Sequence, residues 1–287
     1  MAFGRAERLR VSRLYNAACG SMMHRTAYFT NKGNDLIAAV LAYDLWSFLA
    51  WQDIKIRYRR SKIGPFWLTL SMAVFSGTLG VVYSQLFKIE TAELLPFLTI
   101  GFVMWSFIAG CLGEMPNLFV ENAAYVKEMH INLLTIHLRA LARSIIILGH
   151  NLLIVVGIYA YFDVWPGWIG LLVVPGFLLV VLNLVAIGVV LSIVGARFRD
   201  TSQITQSILQ VGIFVTPVFW LPRLLPEDSW VVAINPIAHF IDLVRSPLLG
   251  HAPQVGSWQG SLVTLVVSVF LAVAVYRSKS GRIAFWV

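Results

Sequence analysis

Long apolar runs free of Asp, Glu, Lys and Arg alternate along the chain with short polar breaks. A helix needs about 20 apolar residues to cross the hydrocarbon core of a membrane. Six runs come to that length, at 63–87, 94–113, 144–162, 164–196, 201–222 and 246–276. The fourth and sixth exceed one crossing, and their starts, rich in Pro, Gly and Trp, read as loops. The expected spans are therefore about 64–87, 94–113, 144–162, 171–195, 202–221 and 258–276. This pattern makes the fold class all-α integral membrane, with six transmembrane helices.

The polar breaks carry elements of their own. Residues 35–60 read as a helix that starts at Asn34-Asp35, a good N-cap. Its middle is apolar, with Leu36, Ile37, Val40, Leu41, Leu45, Trp46, Phe48 and Leu49, and Asp44, Gln52 and Asp53 interspersed. It ends in Lys55, Arg57, Arg59, Arg60 and Lys62, which suits an interfacial amphipathic helix lying in the membrane plane. A seventh span is the competing reading, but it would hold Asp44 near its centre. Between spans two and three, Met115-Pro116-Asn117 breaks the helix, since proline removes a backbone donor. Residues 117–130 then form a short amphipathic helix, with Leu118, Tyr125 and Met129 on one side. Such a helix either docks a soluble subunit or packs on the bilayer surface. Residues between spans five and six are too apolar for a free loop and too broken by Pro222, Pro226, Pro236 and Pro247 for a span. Short re-entrant or outer helices reconcile the two.

Composition agrees with the spans. The chain of 287 residues is 58% hydrophobic and only 13% charged, against about 25% charged in soluble domains. Its net charge of +8 first suggests nucleic acid, but the distribution argues otherwise. With the N-terminus inside, 19 of the 22 Lys and Arg fall on the cytoplasmic side, leaving Lys88, Arg223 and Arg245 outside. That asymmetry orients the chain by the positive-inside rule, with both ends cytoplasmic and anionic lipid headgroups as the partner of the basic charge. Residues 1–34 hold no continuous apolar core, so they read as a cytoplasmic tail and not as a signal peptide. Trp67, Tyr83, Trp105, Tyr159, Tyr161, Trp165, Trp168, Trp220 and Tyr276 cluster near span ends, as interfacial belts do.

Candidate chemistry is sparse. Cys19 and Cys111 make no framework for a disulfide scaffold or zinc site. The polar residues within spans are His150, Asn151, Asn183, Gln203, Gln206 and Gln210, which read as interhelical hydrogen-bond partners before they read as proton relays. His130 and His137 are seven apart in a loop, a spacing that fits two interfacial histidines better than a metal pair. The sequence has no Walker A pattern, so the chain is expected to be no enzyme and to have no ATP motor of its own. It is either a passive channel or carrier, or it draws energy from a partner.

Several motifs then line up in order. Arg57-Tyr58-Arg59-Arg60-Ser61-Lys62-Ile63-Gly64-Pro65-Phe66-Trp67 resembles the RYRxSxLGxxW stretch that opens the first span of type-2 ABC exporter permeases. Gly101-Phe102-Val103-Met104-Trp105 resembles their second-span GxxxW. Arg197-Phe198-Arg199-Asp200 is similar to their RxRD turn, Thr216-Pro217-Val218 to their TPV, and Asn235-Pro236 with Arg245 to their outer NP…R segment. The resemblance covers about residues 35–287 and is nearest to the polysaccharide exporters for O-antigen, capsule and teichoic acid. It departs at Ser71-Met72 and at Ile131-Asn132, where family members often carry a proline and a phenylalanine-proline pair.

The resemblance implies a permease in the bacterial inner membrane, paired with a second copy of itself and with two separate ABC ATPase subunits. ATP and magnesium would sit on those partners, with no cofactor in this chain. The implied cargo is a lipid-linked polysaccharide on undecaprenyl diphosphate; a drug or small lipid is the alternative cargo. It also implies site residues. Arg57, Arg59 and Arg60 would hold the diphosphate at the inner entrance, though plain anchoring to the bilayer explains them equally well. Trp67, Phe75, Tyr83, Trp105 and Phe107 would line the channel, or else pack against lipid. Glu121, Tyr125 and Glu128 would dock the ATPase, and Arg197, Arg199, Asp200, Asn235, Pro236 and Arg245 would serve the structural motifs.

Overall fold

The computed structural model describes residues 35–59, 64, 66–127, 132–163, 165–224 and 230–287. Among them all regular structure is helical. The described residues fall into two units that divide between Tyr43 and Asp44. The first contributes the helix α1 (Asp35–Leu41) and the residues up to Tyr43, where the next helix starts. The second unit holds the rest. It begins with α2 (Tyr43–Arg57), α3 (Phe66–Phe87) and α4 (Thr91–Glu114). After a 3₁₀ turn at Met115–Asn117 come two short helices, α5 (Leu118–Glu121) and α6 (Ala123–Lys127). Then follow α7 (Leu133–Phe162), α8 (Val173–Arg197), α9 (Thr201–Val215), α10 (Trp230–Ala233), α11 (Pro236–Leu248), α12 (Val255–Lys279) and α13 (Ile283–Trp286).

Among the described residues, five helical stretches are long and apolar enough to cross a membrane. They contain α3, α4, α7, α8 and α12. The sixth expected span, 202–221, is helical only through the 15 residues of α9, which rise about 22 Å against the roughly 30 Å of the hydrocarbon core. The reason is Thr216-Pro217. A residue before proline avoids helical angles, and Thr216 is extended, with φ −84° and ψ 140°.

α4 is the centre of the bundle. It is apolar on every face, as a fully surrounded helix must be. Of its apolar window 72% is buried, against 11% for α3 and for α12. α4 packs against α3, α7, α8, α9 and α11, while α8 lies along α12. Ile100, Val103, Met104 and Ile108 of α4 form the interior with Val180 and Leu184 of α8 and Ile241 of α11. α3 and α12 turn Val74, Val82, Val263, Val266 and Phe270 outward, an apolar periphery suited to lipid. Where the Met115–Asn117 turn meets α8, Gly195 lies so close that a Cβ there would overlap the Pro116 carbonyl oxygen.

Short helices do fill the segment after α9. Asn235 caps α11, accepting from the Ile237 and Ala238 amides at 3.0 and 3.3 Å with Pro236 at the first helical position. Its amide also donates to Thr216 Oγ1 at 2.9 Å, tying α11 to the break that ends α9. Asn235→Ala should therefore lower stability by about 1–2 kcal/mol, read as a fall in melting temperature of the detergent-solubilised chain.

The loop after α4 departs from the expected single helix over 117–130. It forms two short turns, α5 and α6, interrupted at Asn122. The Asn122 side chain donates to the Leu118 carbonyl at 2.8 Å and so offers the backbone an alternative to continuing. Met129 lies outside the described residues.

Candidate functional site

One end of the bundle gathers an ion network that no local pattern announces. Ala50 and Ile54 of α2 are buried, and Asp53 shares their side of the helix. The Asp53 carboxylate accepts a fork from Arg139, from Nε at 2.8 Å and Nη2 at 2.5 Å. It also accepts from Arg143 Nη1 at 3.1 Å. Arg139 and Arg143 are one turn apart at the start of α7, so both reach the same side. Asn132 secures that start by accepting from the Leu134 amide at 2.9 Å. Arg143 Nη2 donates to Glu114, the last residue of α4, at 2.5 Å. Arg57 Nη2 stands 3.9 Å from the other Glu114 oxygen. Arg139 also donates to Asn122 Oδ1 at 3.4 Å and stacks its guanidinium 5.2 Å from the Tyr125 ring centre. The side chains of Asp53, Arg139 and Arg143 are only 14–17% exposed, so these bonds are partly shielded from water and stronger than ordinary surface pairs.

The described members of the expected entrance and docking sets lie at this end of the bundle. Arg57 and Arg59 are exposed, and Arg60 lies outside the described residues. Glu121 is exposed, Tyr125 is half-buried under Arg139, and Glu128 lies outside the described residues. At the same end, the Arg197 guanidinium lies 5.3 Å from the rings of both Phe198 and Trp286. Arg199 donates to the Trp286 carbonyl at 3.3 Å, while Asp200 is exposed at the head of α9. The opposite end holds Asn235, Pro236 and Arg245. Arg245 is buried, donates to the Pro217 carbonyl at 2.6 Å and stacks 3.7 Å from the Phe97 ring centre.

The five candidate aromatics separate into two groups. Trp105 and Phe107 face the interior; Trp105 reaches Gly212 of α9, and Phe107 lies 5.6 Å from Phe177. Trp67 and Phe75 are exposed on α3, and Tyr83 is half-buried beside Phe87. Phe75 belongs to an aromatic cluster that the motifs did not single out, stacked at 4.5 Å on Phe102 and 6.0 Å from Phe219.

The polar residues within spans also differ in role. Asn183 donates across to the Ser261 carbonyl at 3.2 Å, joining α8 to α12 as an interhelical partner should. His137 is not interfacial: it is buried, with Nε2 2.8 Å from Ser192 Oγ of α8. It points inward because the basic start of α7 extends the helix well before the apolar run at 144 and turns that face into the bundle. His130 lies outside the described residues. α9 is different again. Gln203, Ser207 and Gln210 recur at one-turn intervals and are all exposed, while Gln206 donates to the Gly113 carbonyl at 3.3 Å. Exposed amides on a helix of a multi-pass chain are unfavourable against lipid.

Known proteins share this sequence pattern. An O-antigen export system permease protein RfbA from Klebsiella pneumoniae is 22% identical over 211 residues, covering 69% of this chain and 78% of its own length. A protein of the same name from Myxococcus xanthus is 21% identical over 247 residues, covering 82% of this chain and 92% of its own. The family model described as ABC-2 type transporter matches residues 44–249. With that match spanning most of the chain, from α2 through α11, this multi-pass membrane protein belongs to the ABC-2 type transporter family of permeases.

Proposed function

We propose that this chain is the permease of an ATP-driven exporter that carries a lipid-linked polysaccharide of the O-antigen kind across the bacterial inner membrane. Its ABC-2 membership implies an ABC ATPase partner, and the names of its relatives point to the cargo. The chain acts as a homodimer with two such ATPases. The end rich in Lys and Arg faces the cytoplasm. There Arg57, Arg59 and Arg60 receive the diphosphate of the carrier lipid, and residues 117–130 meet the ATPase through Glu121, Tyr125 and Glu128.

The observation that carries this reading is the exposed polar row of α9. Gln203 and Gln210 offer amide donors and acceptors, and between them Ser207, whose hydroxyl donates to the Gln203 carbonyl at 2.9 Å, offers an acceptor, a row fit for the hydroxyls of a passing glycan. The Phe75, Phe102 and Phe219 cluster supplies flat apolar surface for sugar faces. An apolar drug has no use for such a row.

Removing the gene should strip the surface polymer and trap lipid-linked glycan on the cytoplasmic face. A complementing copy with Gln203→Leu and Gln210→Leu should reach normal membrane levels yet export about tenfold less, the equivalent of about 1.4 kcal/mol in lost hydrogen bonding. An unchanged envelope glycan in the deletion strain would overturn the reading.

A further inference from the structure

The ion network connects two places that the proposed function treats separately, and its charges do not balance. Three guanidiniums, Arg57, Arg139 and Arg143, share two carboxylates, Asp53 and Glu114. One positive charge is in excess, and geometry identifies its owner. Arg139 and Arg143 are held at 2.5–3.1 Å and are 16% and 17% exposed. Arg57 stands 3.9 Å from Glu114 and is 48% exposed. It is the loosest and most accessible cation of the set.

Glu114 is consequently shared. Its one oxygen is bound firmly to Arg143, and its other faces Arg57 at a distance too long for a hydrogen bond. A phosphate at Arg57 offers that guanidinium a two-pronged, charge-assisted contact better than the one it has. Glu114 then belongs to Arg143 alone. Arg143 also binds Asp53, and Asp53 binds Arg139, so a stronger hold by Glu114 at one end redistributes the bonds along the row. The far end of the row is Arg139, which touches Asn122 and Tyr125.

We propose that Arg57, Glu114, Arg143, Asp53 and Arg139 form a relay that reports phosphate held at Arg57 to the turns at 118–127. The inference rests on the reading of Arg57 as the carrier-lipid entrance and of those turns as the ATPase contact. It adds that cargo at the entrance governs the partner's turnover. Glu114 and Asp53 are positioning residues in this relay, and neither touches the lipid. The phosphate has two possible sources, a polyprenyl diphosphate or an anionic phospholipid headgroup.

The test uses the full chain in phosphatidylcholine nanodiscs, with and without its ATPase. The two probes are undecaprenyl diphosphate and, at matched charge, phosphatidylglycerol. A spin label at Ala124→Cys, an exposed site in α6, is introduced in a Cys19→Ser background. In the wild-type background, undecaprenyl diphosphate should change the label's mobility and raise ATPase turnover about fivefold, the lower range of ordinary two-site coupling. Glu114→Gln should keep basal turnover and probe binding yet lose both responses. Asp53→Asn, which takes the shared carboxylate from both Arg139 and Arg143, should also lose the label's response. A response to phosphatidylglycerol alone would keep the relay but assign its phosphate to a headgroup. A Glu114→Gln protein that responds like the wild type, or a wild type whose label answers neither probe, would overturn the relay. The label needs no ATPase, so failure of the proposed partnership would silence turnover and leave the label's response intact.

Discussion

Gly195→Leu should leave no folded permease in the membrane. The backbone of Pro116 crosses α8 at this glycine, and a Cβ would overlap its carbonyl oxygen. Neither neighbour can move cheaply. Pro116 is held in a 3₁₀ turn between α4 and α5, and α8 is packed along α12. A side chain here meets main chain, not a flexible tip, so the penalty is about 3 kcal/mol or more, at the upper end of overpacking effects. Detergent extraction followed by size-exclusion chromatography should show the monodisperse peak lost. Gly110→Ala and Gly149→Ala are the controls. Nothing lies within 4 Å of a Cβ at either site, and each should gain up to about 1 kcal/mol from helix propensity.

Arg245→Met should lower the melting temperature by several degrees, equivalent to about 2 kcal/mol. The guanidinium donates to the Pro217 carbonyl and sits 3.7 Å over the Phe97 ring centre. A hydrogen bond from a charged donor contributes about 1.5–3 kcal/mol and the ring contact about 0.5–2 kcal/mol. Removing a buried charge returns part of that. Gly101 makes the arrangement possible, because a Cβ there would stand 3.2 Å from Arg245 Nη1. Arg245→Lys should recover only part of the loss, since an ammonium cannot stack as a plane. In a Phe97→Leu background the Arg245→Met effect should shrink, which a double-mutant cycle on melting curves would read directly.

The spans were legible because an apolar run of fixed length is a local property. Five helical stretches answer to it. The exception, 202–221, was legible in another way: Thr216-Pro217 marks a helix end as plainly as the apolar run marks a span, and here the proline prevails. The site was harder to read. Asp53 meets Arg139 across 86 positions and Arg143 meets Glu114 across 29, so no spacing along the chain reveals either pair. A faint signal existed in Arg139 and Arg143, two cations one turn apart just before a span. The aromatics were illegible for a different reason. Lipid, interior and conduit all accept apolar rings, and only packing separates Trp105, turned inward, from Trp67, turned out.

The long reach of the Asp53 bonds also bears on how the chain is made. α2 leaves the ribosome well before α7, whose arginines secure it. At about 5–20 residues per second, roughly 4–17 s pass before Arg139 follows Asp53. Within that interval α3 and α4 are made and start to enter the bilayer, while the carboxylate of α2 waits for its counter-ions. A ribosome stalled within that interval would leave a half-inserted chain with α2 unlatched and its Asp53 carboxylate without either arginine.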